Sequence, residues 1–209
     1  MCITKEVSIS TFFICTISCI YLYQRNKRND RWVALLFGYL GLIQFLEYLM
    51  WTDQECSGIN QKATRVAFYI IILQPLVSVL IAYYMTNGKI PPWLYMIEII
   101  YVIYAIPRLY SKLEENQCTK PCDGSHMGLN WLWVVDNSLV WLIFFCGLVS
   151  PLLLMKPNGY KYCILNFIIW ILSYIIGSYR CSGNVDIPSG SLWCLMAFMG
   201  PLFAIFMNK

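Results

Sequence analysis

The segment Trp32 to Trp51, WVALLFGYLGLIQFLEYLMW, constrains the fold of this chain more than any other feature. A helix of about twenty residues, rising about 1.5 Å per residue, is long enough to cross the roughly 30 Å hydrocarbon core of a bilayer. The whole chain has the same character, because 59% of its 209 residues are hydrophobic and 12% are charged. Soluble domains carry about 25% charged residues. The sequence therefore predicts that a lipid bilayer surrounds most of the chain.

Seven apolar runs approach the length of a membrane span, and polar or turn-forming stretches separate them. They lie near residues 7–23, 32–51, 66–85, 93–110, 131–155, 162–179 and 190–207. The stretches between them leave no room for a soluble domain. We therefore expect an all-α membrane protein, a seven-transmembrane-helix bundle that forms a single integral membrane domain over residues 1–209.

Lysine and arginine are unevenly distributed among the loops between these runs. One set of loops holds seven basic and seven acidic residues, whereas the other holds eight basic residues and a single acid, Asp30. The eight basic residues are Arg25, Lys27, Arg28, Arg31, Lys89, Lys156, Lys161 and Lys209. Because short cytoplasmic loops are enriched in positive charge, this distribution predicts an outside N-terminus and a cytosolic C-terminus. The outer loops then face an extracellular, lumenal or virion-exterior compartment.

The ten cysteines divide between the apolar runs and one side of the membrane. Five lie within the runs, where a thiol packs as a small apolar group, Cys2 precedes the first run, and the cytosolic loops contain none. The remaining four lie in the outer loops and are Cys56, Cys118, Cys122 and Cys181. Since disulfides form in oxidising compartments, we expect one or two bridges among these four. The sequence leaves all three pairings open.

Polar side chains interrupt three of the runs at a similar depth. Gln44 and Glu47 share one face of the second helix, Gln74 lies on the third, and Asp136 and Asn137 lie on the fifth. Counting from the outer ends places this layer about 6 to 12 Å below the outer boundary. A charged group in a membrane helix costs at least about 2.5 to 3.5 kcal/mol, so these side chains should face protein or water. They predict an outward-facing polar pocket for a small ligand or a cation.

The acids in these runs allow two interpretations. If Glu47 and Asp136 share one pocket, both cannot stay charged, and the pocket would hold a proton or a cation. Alternatively, they join helices through hydrogen bonds worth about 0.6 kcal/mol each, or a shifted helix start leaves Asp136 at the wet interface. Glu98 lies nearer the cytosolic end of the fourth run. It marks either the inner end of a pathway or a local ion pair with Lys89.

Several classes of function lack the residues that they need. The only histidine is His126, in an outer loop, which argues against a zinc hydrolase or a Ser-His pair in the bilayer. Cys118, Cys122 and His126 have the spacing of half a metal site, but disulfide chemistry is favoured in an oxidising compartment. Phosphate-binding glycine loops are absent, and the net charge of +4 forms no nucleic-acid patch. We expect no enzyme activity, no cofactor, no metal and no nucleic acid.

The second and third runs carry a pattern that resembles a family of small multi-spanning membrane proteins from large DNA viruses and unicellular eukaryotes. The pattern consists of Gln44-x2-Glu47-x3-Trp51, then Asn60, then Gln74-Pro75. The resemblance covers about a quarter of the chain, and it implies a membrane protein with a viral or protist source. It implies no particular activity.

Two functions remain open from the sequence. The first is a proton- or cation-linked transporter or channel in which Glu47 carries the charge and Gln44, Gln74, Asp136 and Asn137 line the pocket. The second is a non-catalytic structural or receptor-like membrane protein, such as a component of a virion or organelle membrane. Aromatic outer surfaces would also allow the chain to form a homo-oligomer.

Overall fold

The computed structural model of the chain describes residues 4–115, 117–121, 129–131, 138–156, 159–180 and 189–207. Within these ranges, side chains are described except at residues 115, 130, 138, 170, 173–180 and 189–197. Helices make up nearly all of this part of the chain, and its only strands are the antiparallel two-residue pair Lys120–Pro121 and Leu129–Asn130. The prediction of an all-α protein is confirmed.

Nine α-helices and two irregular turns follow one another in the described residues. They are α1 (Lys5–Arg25), α2 (Asp30–Thr52), α3 (Ile59–Ile72), α4 (Gln74–Met85), α5 (Pro92–Ile100), a π-helical turn (Tyr101–Ala105), α6 (Ile106–Glu115), α7 (Ser138–Val149), a 3-10 turn (Ser150–Leu154), α8 (Gly159–Arg180) and α9 (Ser189–Met207). Helices α3 and α4 meet at Leu73 with a bend of 48°. Helix α5, the π turn and α6 run on as one helix.

Three of these helices are long and apolar enough to cross a membrane. They are α1, α2 and the continuous helix Pro92–Glu114, and the bent α3–α4 pair adds a fourth if it counts as one span. Leu139–Leu154 and Phe198–Met207 are shorter apolar helices. The described residues therefore support a membrane protein with three or four candidate spans, and seven spans with a defined orientation stay a prediction.

The two largest differences from the predicted helix boundaries are at the starts of the third and fifth runs. Helix α3 begins at Ile59 and not near residue 66, because its polar first turns carry Asn60 and Thr64, which are buried against protein. The fifth run was expected to be helical from residue 131. Trp131 instead follows the strand Leu129–Asn130, and the next described helix begins at Ser138.

Helix α2 is the centre of the bundle and packs against α1, α3, α4 and α9. Small residues allow two of these helices to approach it closely. A Cβ atom on Gly41 would lie 2.8 Å from Cys15 Sγ of α1, and Gly200 of α9 lies directly against the Phe37 ring. Because lipid tails are as apolar as the side chains, close packing of this kind holds membrane helices together.

Arg25 joins three helix ends at one end of α2. Its guanidinium donates to both carboxylate oxygens of Asp30, at 2.7 and 2.8 Å, and to the carbonyl oxygens of Ala204 and Ile205, at 3.2 and 3.1 Å. Those carbonyls lie in the last turn of α9, where an α-helix supplies no backbone donors. Asp30 is fully buried and also accepts the backbone N–H of Lys27, at 2.9 Å. One ion pair therefore fixes the end of α1, the start of α2 and the end of α9.

The substitution Asp30→Asn should destabilise the fold, because it leaves the Arg25 charge without its counter-ion. Removing one partner of a buried ion pair costs about 3 to 5 kcal/mol, and we expect the lower end because Arg25 is partly exposed and keeps its two carbonyl acceptors. Titration from mild detergent into dodecyl sulfate measures the unfolding free energy. Lys27→Gln, at an exposed site in the same turn, is the control and should change little; equal losses in both variants would contradict the role of the pair.

Candidate functional site

The bend between α3 and α4 exposes backbone carbonyls that neighbouring helices satisfy. Pro75 has no N–H and cannot continue the hydrogen-bond ladder across Leu73. Tyr39 of α2 donates its hydroxyl to the Ile70 carbonyl at 2.9 Å, and Tyr101 donates to the Ile72 carbonyl at 2.6 Å. In hydrocarbon an unsatisfied carbonyl costs several kcal/mol, so the hydrogen bonds from these two tyrosines stabilise the bend.

Two further irregularities lie next to this bend. The π-helical turn begins at Tyr101, which is fully buried and meets Phe144 of α7 edge to face, with 6.0 Å between ring centroids. The 3-10 turn at the end of α7 contains Pro151, and Ser78 of α4 donates to the Leu148 carbonyl just before it, at 2.8 Å. Such π-helical turns are frequent at functional sites.

Glu98 of α5 lies where the three irregularities meet. A Cβ atom built on Gly147 of α7 would lie 2.7 Å from Glu98 Oε1 and 3.0 Å from the Cβ of Pro75, so Gly147 touches both residues. Together with Ser78 and Tyr101, which tie the same elements together, they form what we call the helix-break cluster. Glycine at position 147 is what leaves room for the carboxyl group between α5 and α7.

The Glu98 carboxyl group is buried without a polar partner in the part of the chain that the structure describes. The side chain is 6% exposed, and neither of its oxygens has a hydrogen-bond partner among the described residues. The expected pair with Lys89 is therefore not observed, because the carboxyl group points into the bundle against α7. A carboxylate buried in this way costs so much free energy that it is either neutralised by a proton or paired with a cation.

Gln44 and Glu47 face the interior of the bundle, where the sequence placed them. Neither side chain has exposed surface, and Gln44 Nε2 donates to Glu47 Oε2 at 3.2 Å. Gln74 is also buried, at the start of α4, and its amide oxygen has no hydrogen-bond partner in the described part of the chain. The other predicted pocket residues, Asp136 and Asn137, lie outside the described residues.

A second polar cluster, at the other end of α2 from Arg25, was missed by the sequence prediction. The Asp53 carboxylate accepts the backbone N–H groups of Ser57, Gly58 and Asn60, at 2.9 to 3.1 Å, and the Ser57 hydroxyl at 2.9 Å. These donors hold the pKa of Asp53 down at about 2. Asp53 is followed by Ser57, Gly58 and Asn60, which are residue types typical of turns and helix starts. The hydrogen bonds within this turn could therefore have been predicted from the sequence.

Asn60 extends this cluster to a distant part of the chain. Its amide donates to the carbonyls of Met50 and Thr119, at 3.1 and 2.7 Å, and its oxygen accepts the Thr119 N–H at 3.0 Å. Thr64 donates to Thr119 Oγ1 at 2.9 Å. These bonds join the start of α3 to the segment after α6 in a completely buried contact.

A disulfide between Cys56 and Cys118 crosses the same contact. The prediction of a bridge among the four loop cysteines is confirmed, and the structure selects the Cys56–Cys118 pairing; the side of the membrane stays a prediction. It also removes Cys118 from the candidate metal half-site. Cys122, Cys181 and His126 lie outside the described residues.

No protein-family model, no curated protein and no solved structure matches the chain. The resemblance to the viral and protist family thus stays a prediction.

The substitution Tyr101→Phe should lower the unfolding free energy by about 1 to 3 kcal/mol, because the buried Ile72 carbonyl loses its donor. The same detergent titration measures the loss. Tyr95→Phe, on the exposed side of α5, removes a hydroxyl without a buried contact and should leave the stability unchanged. No difference between the two variants would show that the bend does not depend on this bond.

Asp53 should make stability depend on pH in the acid range. Its pKa is about 2 in the fold against an ordinary value of 3.8, so the charged form stabilises the fold above about pH 4. That contribution is lost as the pH falls from about 4 to about 2. Thermal unfolding in detergent should show a steeper decline for the wild type than for Asp53→Asn, which does not titrate. Parallel pH profiles would contradict the capping role.

Proposed function

We propose that the protein is a proton- or cation-linked membrane transporter or channel, in which Glu98 binds the proton or the cation. One observation carries this proposal: the Glu98 carboxyl group is buried, and neither oxygen has a polar partner among the described residues. Acids within membrane spans are rare and mark proton or ion pathways. Irregular backbone at membrane depth is typical of helices that line such a pathway.

The helix-break cluster supports a change in packing when the charge of Glu98 changes. Pro75 and the π turn at Tyr101 interrupt regular hydrogen bonding in two of the helices around the carboxyl group, and Gly147 touches it from a third. Interrupted helices bend at such points. Gain or loss of a proton by Glu98 would therefore shift α4 and α5 against α7.

A seven-span arrangement with an outside N-terminus is part of the proposal. The Cys56–Cys118 bridge puts the α2–α3 loop and the segment after α6 at one end of the bundle. The Arg25 contacts put the α1–α2 turn and the end of α9 at the other end. Seven crossings, with α3–α4 and α5–α6 counted as one each, satisfy both contacts. With the basic loops in the cytosol, the disulfide lies outside.

Glu47 is proposed as the outer acid of the same pathway. It lies on α2 in a bonded pair with Gln44, nearer than Glu98 to the disulfide end. Gln74, and the sequence-predicted Asp136 and Asn137, would complete its surroundings. Opening this layer would let Gln44 exchange its bond to Glu47 for one to a ligand or to water.

A structural or receptor-like membrane component is the second candidate function. The bond between Gln44 and Glu47 and the absence of exposed surface on either side chain favour it, because polar groups that satisfy each other need no ligand. This alternative expects no ion flux at all.

Flux through the purified protein in liposomes tests the proposal. A pH-sensitive dye inside the vesicles reports protons under an imposed gradient, and parallel runs measure Na⁺ and K⁺. We expect flux above that of empty liposomes for the wild type. Glu98→Gln should fall to the empty-liposome rate, because an amide takes up no proton near neutral pH and has no negative charge to balance a cation. Glu55→Gln, an exposed acid in the α2–α3 loop, is the matched control and should behave as the wild type.

Each result in this assay decides a point. Equal flux in Glu98→Gln and the wild type would remove Glu98 from the mechanism, and equal flux in Glu47→Gln would remove Glu47. Wild-type protein that conducts neither protons nor cations would favour the structural role.

A further inference from the structure

A cleft of about 390 Å³ opens on the outer side of α5, next to Glu98. Sites for small organic ligands run from about 300 to 1,000 Å³, so the volume suits one such molecule. The lining is aliphatic or aromatic apart from the acid itself. It consists of Leu76, Tyr95, Glu98, Ile99, Val102 and Ile103.

The mouth of this cleft faces the membrane. Ile103 is 71% exposed and Ile99 56% exposed, and both lie within the candidate span Pro92–Glu114. Apolar side chains exposed at that depth contact acyl chains, because hydrocarbon is their solvent there. Glu98 is six residues from Pro92, or about 9 Å along the helix. A molecule would therefore reach the cleft from the bilayer.

The chemistry of the cleft selects its occupant. The walls match a bulky apolar body, and Glu98 is an acid with no polar partner in the described residues. We propose that the cleft binds a lipophilic cation, an organic amine or onium ion that carries one positive charge within an apolar body. This inference rests on the proposed function and names the class of cation that Glu98 takes.

Binding requires the carboxyl group to turn from Gly147 toward the cleft, because both oxygens lie at the covered inner end. A neutral carboxyl group releases one proton as it pairs with the cation, so charge at the site is conserved. Proton and lipophilic cation thus compete for Glu98, which is the exchange that a proton-linked transporter needs. Ordinary lipid in the cleft would show no such competition and no preference for positive charge.

A pair of ions with the same shape and opposite charges tests this proposal. Tetraphenylphosphonium and tetraphenylborate are titrated into the protein in nanodiscs of zwitterionic lipid, with protein-free nanodiscs subtracted. We expect saturable binding of the phosphonium and none of the borate. Glu98→Gln should weaken phosphonium binding by roughly thirty-fold or more, the effect of losing one partner of a buried charge pair. Lowering the pH should also weaken it.

Two variants that keep Glu98 test whether the cation binds in the cleft and whether the carboxyl group turns toward it. Ile103→Trp fills the cleft and should weaken phosphonium binding by about tenfold. Ile164→Trp, on an exposed face of α8 that does not line the cleft, is its control. Gly147→Ala places a methyl group against Glu98 Oε1 and should strengthen phosphonium binding, because the carboxyl group is pushed outward; weaker binding would contradict the carboxyl movement.

Failure of this inference can be told from failure of the proposed function. Equal binding of both ions, or wild-type affinity in Ile103→Trp, would overturn the cleft as a cation site; Glu98-dependent proton flux in liposomes would then still support the proposed function. Charge-selective binding that Ile103→Trp weakens would support the site even if Glu98→Gln does not fold. Selective binding without any flux would overturn transport alone.

Discussion

Hydrocarbon offers no hydrogen bonds, and this single constraint determines most of what the bundle does with its polar groups. At three points where the backbone departs from a regular helix, a side chain from a neighbouring helix donates a hydrogen bond to the free carbonyls. Tyr39 and Tyr101 donate to backbone carbonyls at the bend near Leu73. Ser78 donates to a carbonyl at the end of α7, and Arg25 donates to carbonyls at the end of α9. Irregular backbone and helix packing are therefore coupled, because each break is stabilised only while its donor helix stays in place. Both carboxyl oxygens of Glu98 lack such a partner among the described residues, and that is why the functional proposals centre on this acid.

The parts of the fold that the sequence predicted follow from the surrounding lipid alone. A run of about twenty apolar residues has one stable form in lipid, which is a helix, and an acid on such a helix has to face protein. This explains why the helical class was predicted correctly and why Glu47 is buried beside Gln44. The disulfide was predicted because four cysteines lie in loops on one predicted side of the bundle. In all these cases the environment of a residue, and not its particular neighbour, decides the outcome.

The remaining features depend on which helices meet, and a single sequence does not carry that information. The choice of Cys118 as the partner of Cys56 depends on the contact between Asn60 and Thr119, which lie 59 residues apart. The inward position of Glu98 depends on a glycine in α7. Read along its own helix, Glu98 is an acid near a helix end, for which a local lysine is the natural partner. Only the packing of α5 on α7 reveals a buried carboxyl group in contact with Gly147.

The contact around Asn60 also limits how the bundle can move. Because the bridge and its buried amide bonds fasten the start of α3 to the chain beyond α6, those two helices cannot part at that end. The 48° bend at Leu73 then divides the α3–α4 pair into an anchored upper arm, α3, and a lower arm, α4, that this contact does not fasten. Any rearrangement around Glu98 would swing the lower arm and widen the bundle on the basic side of the membrane. Reduction of the bridge would leave the buried Asn60–Thr119 bonds as the remaining fastening of the upper arm, so the hold on this end of the bundle depends on the thiol–disulfide state of Cys56 and Cys118.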